Sequence, residues 1–417
     1  MPGIAHRRRN GPRRNGPRRN GLRRIGPRRI GLRNNGPRNN GPRRSGLAAR
    51  LHRLRREDRG AVATIVAVLL AGGVLLGMGA LVIDVGGLYA ERAELQNGAD
   101  AAALAVAGGC AKGTASCDPS TTGTARSYAN GNAKDGTSAV SLVCGNNGAG
   151  TLPGCPASTA AMTSCPPAPA AGTTYVDVHT STRTAGGSTL LPPVLARALA
   201  GNAGYPGTTV LACARASWAA PQSATALAMT ISYCEWNAAT AGGTSYAQPP
   251  PYPPNPLPPT SAERVLQLHS SGSACGGGPS GWDLPGGFGW LDDPNGDCTG
   301  FVDVNNTYHD SSGVAASGAC KTALANLQTN RTLVYLPVYD GAGGSGHGGT
   351  YHLKGFAAFV VTGYRLSGFS TPSWLTGLDR CTGSSKCVYG YFTQGLIPSA
   401  GALGGPSMGA SVVQLAG

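Results

Sequence analysis

The stretch Arg59–Ala105, RGAVATIVAVLLAGGVLLGMGALVIDVGGLYAERAELQNGADAAALA, decides how the rest of the chain is organised. Residues 61–83 carry no charged side chain. A helix rising 1.5 Å per residue over that run reaches about 34 Å, enough to cross the hydrocarbon core of a bilayer. The pattern predicts that the helix continues to Val106. Leu81, Val85, Leu88, Leu95, Ala99, Ala102 and Val106 fall on one stripe of helical spacing, interrupted by Arg92, while Asp84, Glu91, Glu94 and Asp100 fall off it. Two uses of the stripe compete: packing on the chain's own exterior, or a seam for partner helices in an envelope assembly. Gly73 and Gly77 have the spacing of a helix-contact face, although glycine is abundant here in general.

Working outward, charge separates the two sides of this run. Residues 1–60 hold 20 Arg against Glu57 and Asp58, a net +18. Residues 61–417 hold 14 Lys and Arg against 17 Asp and Glu, a net −3. Arg53, Arg55, Arg56 and Arg59 stand directly before the run, and the positive-inside rule puts that end in the cytoplasm. A cleavable signal peptide is the competing assignment. Its apolar core would be too long, and the small-residue cleavage candidates, Ala103–Ala105 and Ala105–Ala107, lie far past it. Residues 1–58 form a basic tail with glycine every fifth position from Gly11 to Gly46 and no apolar period, a composition that predicts disorder. The tail suits anionic lipid. Nucleic acid is disfavoured because no aromatics interleave the arginines, and an upstream extension from a misplaced start is the third reading.

The twelve cysteines lie between Cys110 and Cys387, and none precedes the run. An even set confined to one side of a membrane segment predicts disulfides in an oxidising compartment, each contributing about 2–4 kcal/mol. No Cys-x-x-Cys pair occurs to favour zinc. Cys298 with Cys320 and Cys381 with Cys387 are the pairs to expect. The fold class predicted is α+β: a long N-terminal transmembrane and juxtamembrane helix (59–106), then disulfide-rich, β-leaning extracytoplasmic modules. These are a Cys-rich module at 107–247, a proline-rich linker at 248–259 (QPPPYPPNPLPP) and a Gly/Cys-rich module at 260–417. Strands are predicted at Thr173–Thr180, Thr208–Trp218, Thr225–Cys234, Thr332–Tyr339, Tyr351–Tyr364 and Val388–Thr393. Helices are predicted at Pro193–Ala200 and Cys320–Gln328. Residues 107–172 read as loops pinned by bridges.

Several strings imitate catalytic signatures and fail on context. Gly341-x-Gly343-x-x-Gly346 follows a strand, but another strand-like run comes next where a phosphate site needs a helix. Gly405-x-Ser407-x-Gly409 resembles a nucleophile elbow, yet no Asp, Glu or His follows it. His347 and His352 lack a third metal ligand. Asp293, Asn295 and Asp297 resemble the opening of a calcium loop, but Cys298 stands where the turn glycine belongs and Val304 where a closing Glu would be. The local alternative is an Asp-Pro-Asn-Gly turn. No catalytic residue, cofactor site or small-molecule substrate is implied.

The order Arg-Gly before the apolar run, Asp84-Val85-Gly86 at its edge, then Tyr89, Glu91-Arg92, Leu95-Gln96 and Ala99-Asp100-Ala101-Ala102-Ala103-Leu104 resembles the N-terminal domain of TadE/TadG-like Flp pilus-assembly proteins. Ile231–Trp236, Gly287–Asp292 and Gly355–Phe359 look like parts of TadG-related bacterial proteins. The resemblance implies a single-pass membrane component of a tight-adherence pilus system, with pilus-assembly proteins and the cell wall as partners. Two departures limit what it carries. Pseudopilin relatives have a Glu five residues after the cleavage glycine, where this chain has Ile65 after Gly60. Larger TadG proteins carry an Asp-x-Ser-x-Ser metal motif, which is absent; Asp118–Thr122 ends in Thr, and Asp310–Val314 lacks the final Ser. The resulting expectation is a non-enzymatic anchor with its N-terminus inside. Its rival is a membrane-anchored adhesin or glycan binder, using aromatics such as Trp282, Phe288 and Trp290.

Overall fold

Gly72 and Gly73 interrupt the helix that the uncharged run predicts. A computed structural model of the chain describes residues 60–113, 117, 122–156, 165, 167, 169–195, 204–268, 288–309, 316–343, 349–381, 383–398 and 401–416. Residues 60–71 form helix α1, and the two glycines then turn before α2, Val74–Ala111. Gly73 caps α2 in the left-handed region (φ 69°, ψ 4°), a conformation open to glycine and strained for side chains with a Cβ. Each glycine also lowers helix stability by about 1 kcal/mol relative to alanine. The continuous helix expected from Ala61 to Val106 is therefore two helices. No helix among the described residues is long and apolar enough to cross a membrane.

The chain divides into units 1–71 and 72–417. In the first, α1 exposes Val62, Ile65, Val66, Val68 and Leu70, and the Thr64 hydroxyl donates one turn back to the Gly60 carbonyl at 2.7 Å.

The second unit mixes helices with a disulfide-bonded, β-rich body. Its N-terminal part contains α2, α3 (Thr122–Gly131), β1 (Ala139–Asn146), β2 (Thr174–Ser181) and β3 (Leu211–Ala219). Then come β4 (Ser223–Leu227), β5 (Met229–Ser232), α4 (Tyr233–Thr240), β6 (Arg264–Gln267), β7 (Phe288–Trp290), β8 (Thr299–Asp303) and β9 (Thr307–His309). The C-terminal part holds α5 (Gly318–Asn330), β10 (Leu333–Gly343), β11 (Thr350–Leu366), β12 (Phe369–Thr371), β13 (Cys387–Thr393), β14 (Gly395–Leu396), β15 (Ser407–Met408) and β16 (Ala410–Leu415).

One sheet has five strands in the order β1-β2-β3-β16-β14. Alternation along β2 and β3 turns Val176, Val178, Ala214, Ala216 and Trp218 into a core with Ala99, Ala102, Ala103, Val106 and Ala107 of α2. Small side chains on α2 let its backbone approach closely. A Cβ on Gly98 would stand 3.1 Å from the Ala129 carbonyl oxygen, which places α3 against α2.

The opposite face of the same sheet is polar and bridged. Arg215 and Asp177 pair in two parallel hydrogen bonds of 2.6 Å, and both side chains are buried. Arg215 also donates to the Pro167 carbonyl and lies 4.6 Å from the Tyr175 ring centroid. Bridges Cys144–Cys155 and Cys165–Cys213 flank this pair. His179 stands 3.4 Å from the Cys165 sulfur, and its half-buried position holds the imidazole below its ordinary pKa despite the nearby Asp177 charge.

The second sheet has nine strands. Its main path is β6-β13-β11-β10-β5-β7, with β9, β12 and β15 also pairing β11. A separate β4–β8 pair flanks it, and Met229, Ile231, Leu336, Val338, Phe356, Phe359 and Leu324 of α5 fill the core. Strands from both sides of 248–259 pair with one another: β5 with β10, β4 with β8, and β16 with β3. The proline-rich run itself packs down. Tyr252 meets the Trp374 ring at 6.4 Å between centroids and hydrogen-bonds the Tyr391 hydroxyl. The stretches 107–247 and 260–417 thus share sheets instead of each keeping its own.

Candidate membrane-facing helix and its docked exterior

Helix α2 changes character along its length. Leu81, Val82, Ile83, Val85 and Tyr89 are exposed, whereas Leu95, Ala99 and Ala102 are 3%, 0% and 0% exposed. The stripe read as a partner-helix seam (Leu81, Val85, Leu88, Leu95, Ala99, Ala102) is therefore not one continuous open surface. Its C-terminal half is consumed by the chain's own sheet, because the alanine-rich face of α2 packs on β2 and β3. Its N-terminal half, Leu81 and Val85 with half-buried Leu88, stays available.

The polar residues off the stripe fasten the disulfide-bonded, β-rich body to α2. The Gln96 amide donates to the Cys213 carbonyl at 3.0 Å and to Asp100 at 2.9 Å. Glu94 accepts the Lys134 backbone N–H at 2.8 Å. The Thr180 hydroxyl donates to the Leu95 carbonyl at 2.9 Å. Burial, with the neighbouring Glu94 and Asp135 charges, holds the Glu91 carboxyl above its ordinary pKa against an opposing hydrogen bond from Thr182. Asp84 accepts the backbone N–H groups of Val194 at 2.7 Å and Leu195 at 3.1 Å. Several residues of the motif quoted from the sequence, Asp84, Glu91, Glu94 and Gln96, are thus polar pegs between a helix and the module it carries, and Asp100 holds the Gln96 amide from within the helix.

Of the other residues singled out, Cys298 is bonded to Cys320 and Cys381 to Cys387. Cys110–Cys117 closes the end of α2, and Cys234 is also disulfide-bonded. Cys165, His179 and Cys213 converge within 4.8 Å, as do Cys144, Cys155 and Asp177. Their sulfurs are joined in S–S bonds and so offer no thiolate. Asp293 spends its carboxylate on the backbone N–H groups of Asp297 and Cys298, and Asp297 accepts the N–H and hydroxyl of Thr299. Those Thr299 contacts hold Asp297 below the ordinary carboxyl range. Asn295 is exposed on the same turn. The turn's own donors, not a shared centre, organise these oxygens.

His352 pairs with Asp340 at 2.7 Å across the β10–β11 hairpin; His347 lies outside the described residues. Trp290 is buried in the core; Trp282, the Phe288 side chain, most of the Pro193–Ala200 helix and nearly all of the two imperfect metal motifs lie outside the described residues. Glu263 is a buried acid that the sequence did not reveal. Its carboxylate is met by the hydroxyls of Thr362, Ser373 and Thr376, an arrangement that joins β11 to the segment after β12.

No curated protein and no solved structure matches the chain. The described helix and the family comparison agree on one region: residues 60–109 match the family model described as "Putative Flp pilus-assembly TadE/G-like".

Proposed function

We propose that this chain is a non-enzymatic, membrane-anchored envelope component that supports assembly or anchoring of Flp-type pili. The observation that carries the reading is the division of the family-matched region, residues 60–109. Its outer half is the core of a disulfide-bonded exterior, while the apolar residues at its inner end remain exposed. In this reading, residues 61–83 cross the bilayer, with the Gly72–Gly73 turn straightened or held as a kink in lipid. The arginine-rich tail faces anionic lipid on the cytoplasmic side, where each surface-proximal Arg is worth about 1 kcal/mol. The bridged body lies in the oxidising space outside, in reach of pilus-assembly proteins and the cell wall.

Topology tests the anchor. In spheroplasts making the chain with an epitope at each end, external protease is expected to remove the C-terminal epitope and spare the N-terminal one. A C-terminal epitope protected until lysis contradicts the reading.

A further inference from the structure

Beyond residues 61–83, the exterior holds a second apolar element at the level where the uncharged run ends. The connection from β2 to β3 does not turn back at once. It leaves the sheet as a paired ribbon, with Thr182 receiving and giving hydrogen bonds to Val210, Thr209 bonded to the Thr189 carbonyl, and Leu191 paired with Thr208. Its contacts descend α2 in order: Thr180 meets Leu95, Thr182 meets Glu91, and Val194 with Leu195 meets Asp84. Leu95 and Asp84 stand eleven residue steps apart along α2, a descent of about 16 Å. Asp84 is the first charged residue after the run of 61–83.

At this foot, Val194 is 72% exposed and Tyr205 40% exposed, beside exposed Ile83. A cavity of about 160 Å³ opens between α2 and the ribbon, lined by Ile83, Leu88, Pro192, Pro193 and Tyr205 among others. A carboxylate at a membrane boundary is costly unless hydrogen-bonded. Asp84 meets that condition by accepting two consecutive backbone N–H groups, which also fixes the foot against the helix.

We propose that the foot of this ribbon, carried by Val194, Leu195 and Tyr205, inserts shallowly into the lipid headgroup–acyl boundary beside the point where α2 leaves the membrane. The proposal rests on the membrane-anchored reading above. Lipid is the occupant the structure favours because the apolar foot is continuous with the exposed Ile83 end of α2. A tyrosine beside proline and aliphatic residues also has the amphipathic character of the membrane interface. The element would hold the exterior at a fixed angle to the membrane, which a single helix cannot do.

Tryptophan quenching by brominated lipids tests it in the full chain reconstituted in vesicles, with the emission of the native tryptophans subtracted. Val68→Trp reports the span, Val194→Trp the foot, and Leu378→Trp, at an exposed site far along the sequence, the background. The expected result is loss of most added emission at Val194→Trp with bromine near the headgroup, less loss with bromine near the chain end, and little loss at Leu378→Trp. Adding Asp84→Ala should reduce quenching at Val194→Trp and leave Val68→Trp unchanged. Quenching at Val68→Trp with none at Val194→Trp overturns the foot and leaves the anchor standing. Absence of quenching at both overturns the anchor as well. Protection of Val194→Trp only by self-association in detergent assigns the surface to a second copy and overturns the lipid proposal. Unchanged quenching after Asp84→Ala overturns the role given to Asp84.

Discussion

Arg215→Ala is expected to destabilise the disulfide-bonded body by about 3–5 kcal/mol, the cost of leaving one member of a buried ion pair without its partner. The geometry sets the size. Arg215 forks onto both oxygens of Asp177 at 2.6 Å, and neither side chain reaches water. Its third contact, to the Pro167 carbonyl, ties the segment beside the Cys165–Cys213 bridge to the sheet. Truncation therefore strands a carboxylate and a carbonyl together. Replacing both members by apolar residues of similar volume, Arg215→Met with Asp177→Leu, should recover much of the loss, because no charge is then left buried. Denaturant unfolding under non-reducing conditions reads both variants. A loss below about 1 kcal/mol for Arg215→Ala would show that water reaches the pair.

Leu95→Asn separates the two uses of the α2 stripe. Leu95 is 3% exposed and its carbonyl receives Thr180, so the structure makes it an internal packing residue. The substitution removes buried apolar surface and buries an amide, for a combined cost of about 3–5 kcal/mol. The expected phenotype is an unstable, poorly accumulating chain. Leu81→Asn, at a 63% exposed position in the N-terminal half of the stripe, should change the stability of the β-rich body by no more than about 0.5 kcal/mol. Any effect of Leu81→Asn on membrane or partner association then reports on the open surface directly. A stable, fully oxidised Leu95→Asn chain that has lost only its partners would restore the partner-helix seam and contradict the packing described here.

The elements most legible in the sequence were those with a strong local period. β2, β3, β10, β11 and β13 follow from alternating or continuous apolar runs, and the helix expected at Cys320–Gln328 is α5, which starts two residues earlier behind a Ser317 cap. The Thr225–Cys234 run is instead two strands, β4 and β5, with Cys234 already inside α4. Helix α3 went unread because TGTARSYANG is built from small and polar residues whose choice is made by packing, here on α2; strand β1, AVSLVCGN, is a short apolar run within a Gly-, Ser- and Thr-rich stretch, and pairing with β2 makes it a strand. Strand β16 went unread for another reason. A short run near the C-terminus gives no sign that its partner is β3, nearly 200 residues earlier.

The site was legible in the same uneven way. The motif around Asp84, Glu91, Glu94 and Gln96 stood out as a pattern, but its role as pegs depends on distant segments: the ribbon between β2 and β3 for the first two, Lys134 and β3 for the others. Asp177 and Arg215 looked like ordinary alternating polar positions of half-buried strands. Nothing local shows that the second face of the sheet is covered by a bridged segment. Cys381–Cys387 encloses one short polar turn and Cys298–Cys320 flanks one strand–loop unit, which made those bridges legible; Cys144–Cys155, although only 11 residues apart, and Cys165–Cys213 have no such local marker.

The most direct measurement of the central claim is the count of Flp-type pili on cells in which this chain alone is deleted, read beside co-purification of the tagged chain with pilus-assembly proteins in detergent. The account predicts loss of pili on deletion, recovery on re-expression, and co-purification that persists in wild type. Normal pilus numbers in the deletion strain, with loss only of attachment to a defined glycan, would contradict it and assign the chain to surface adhesion.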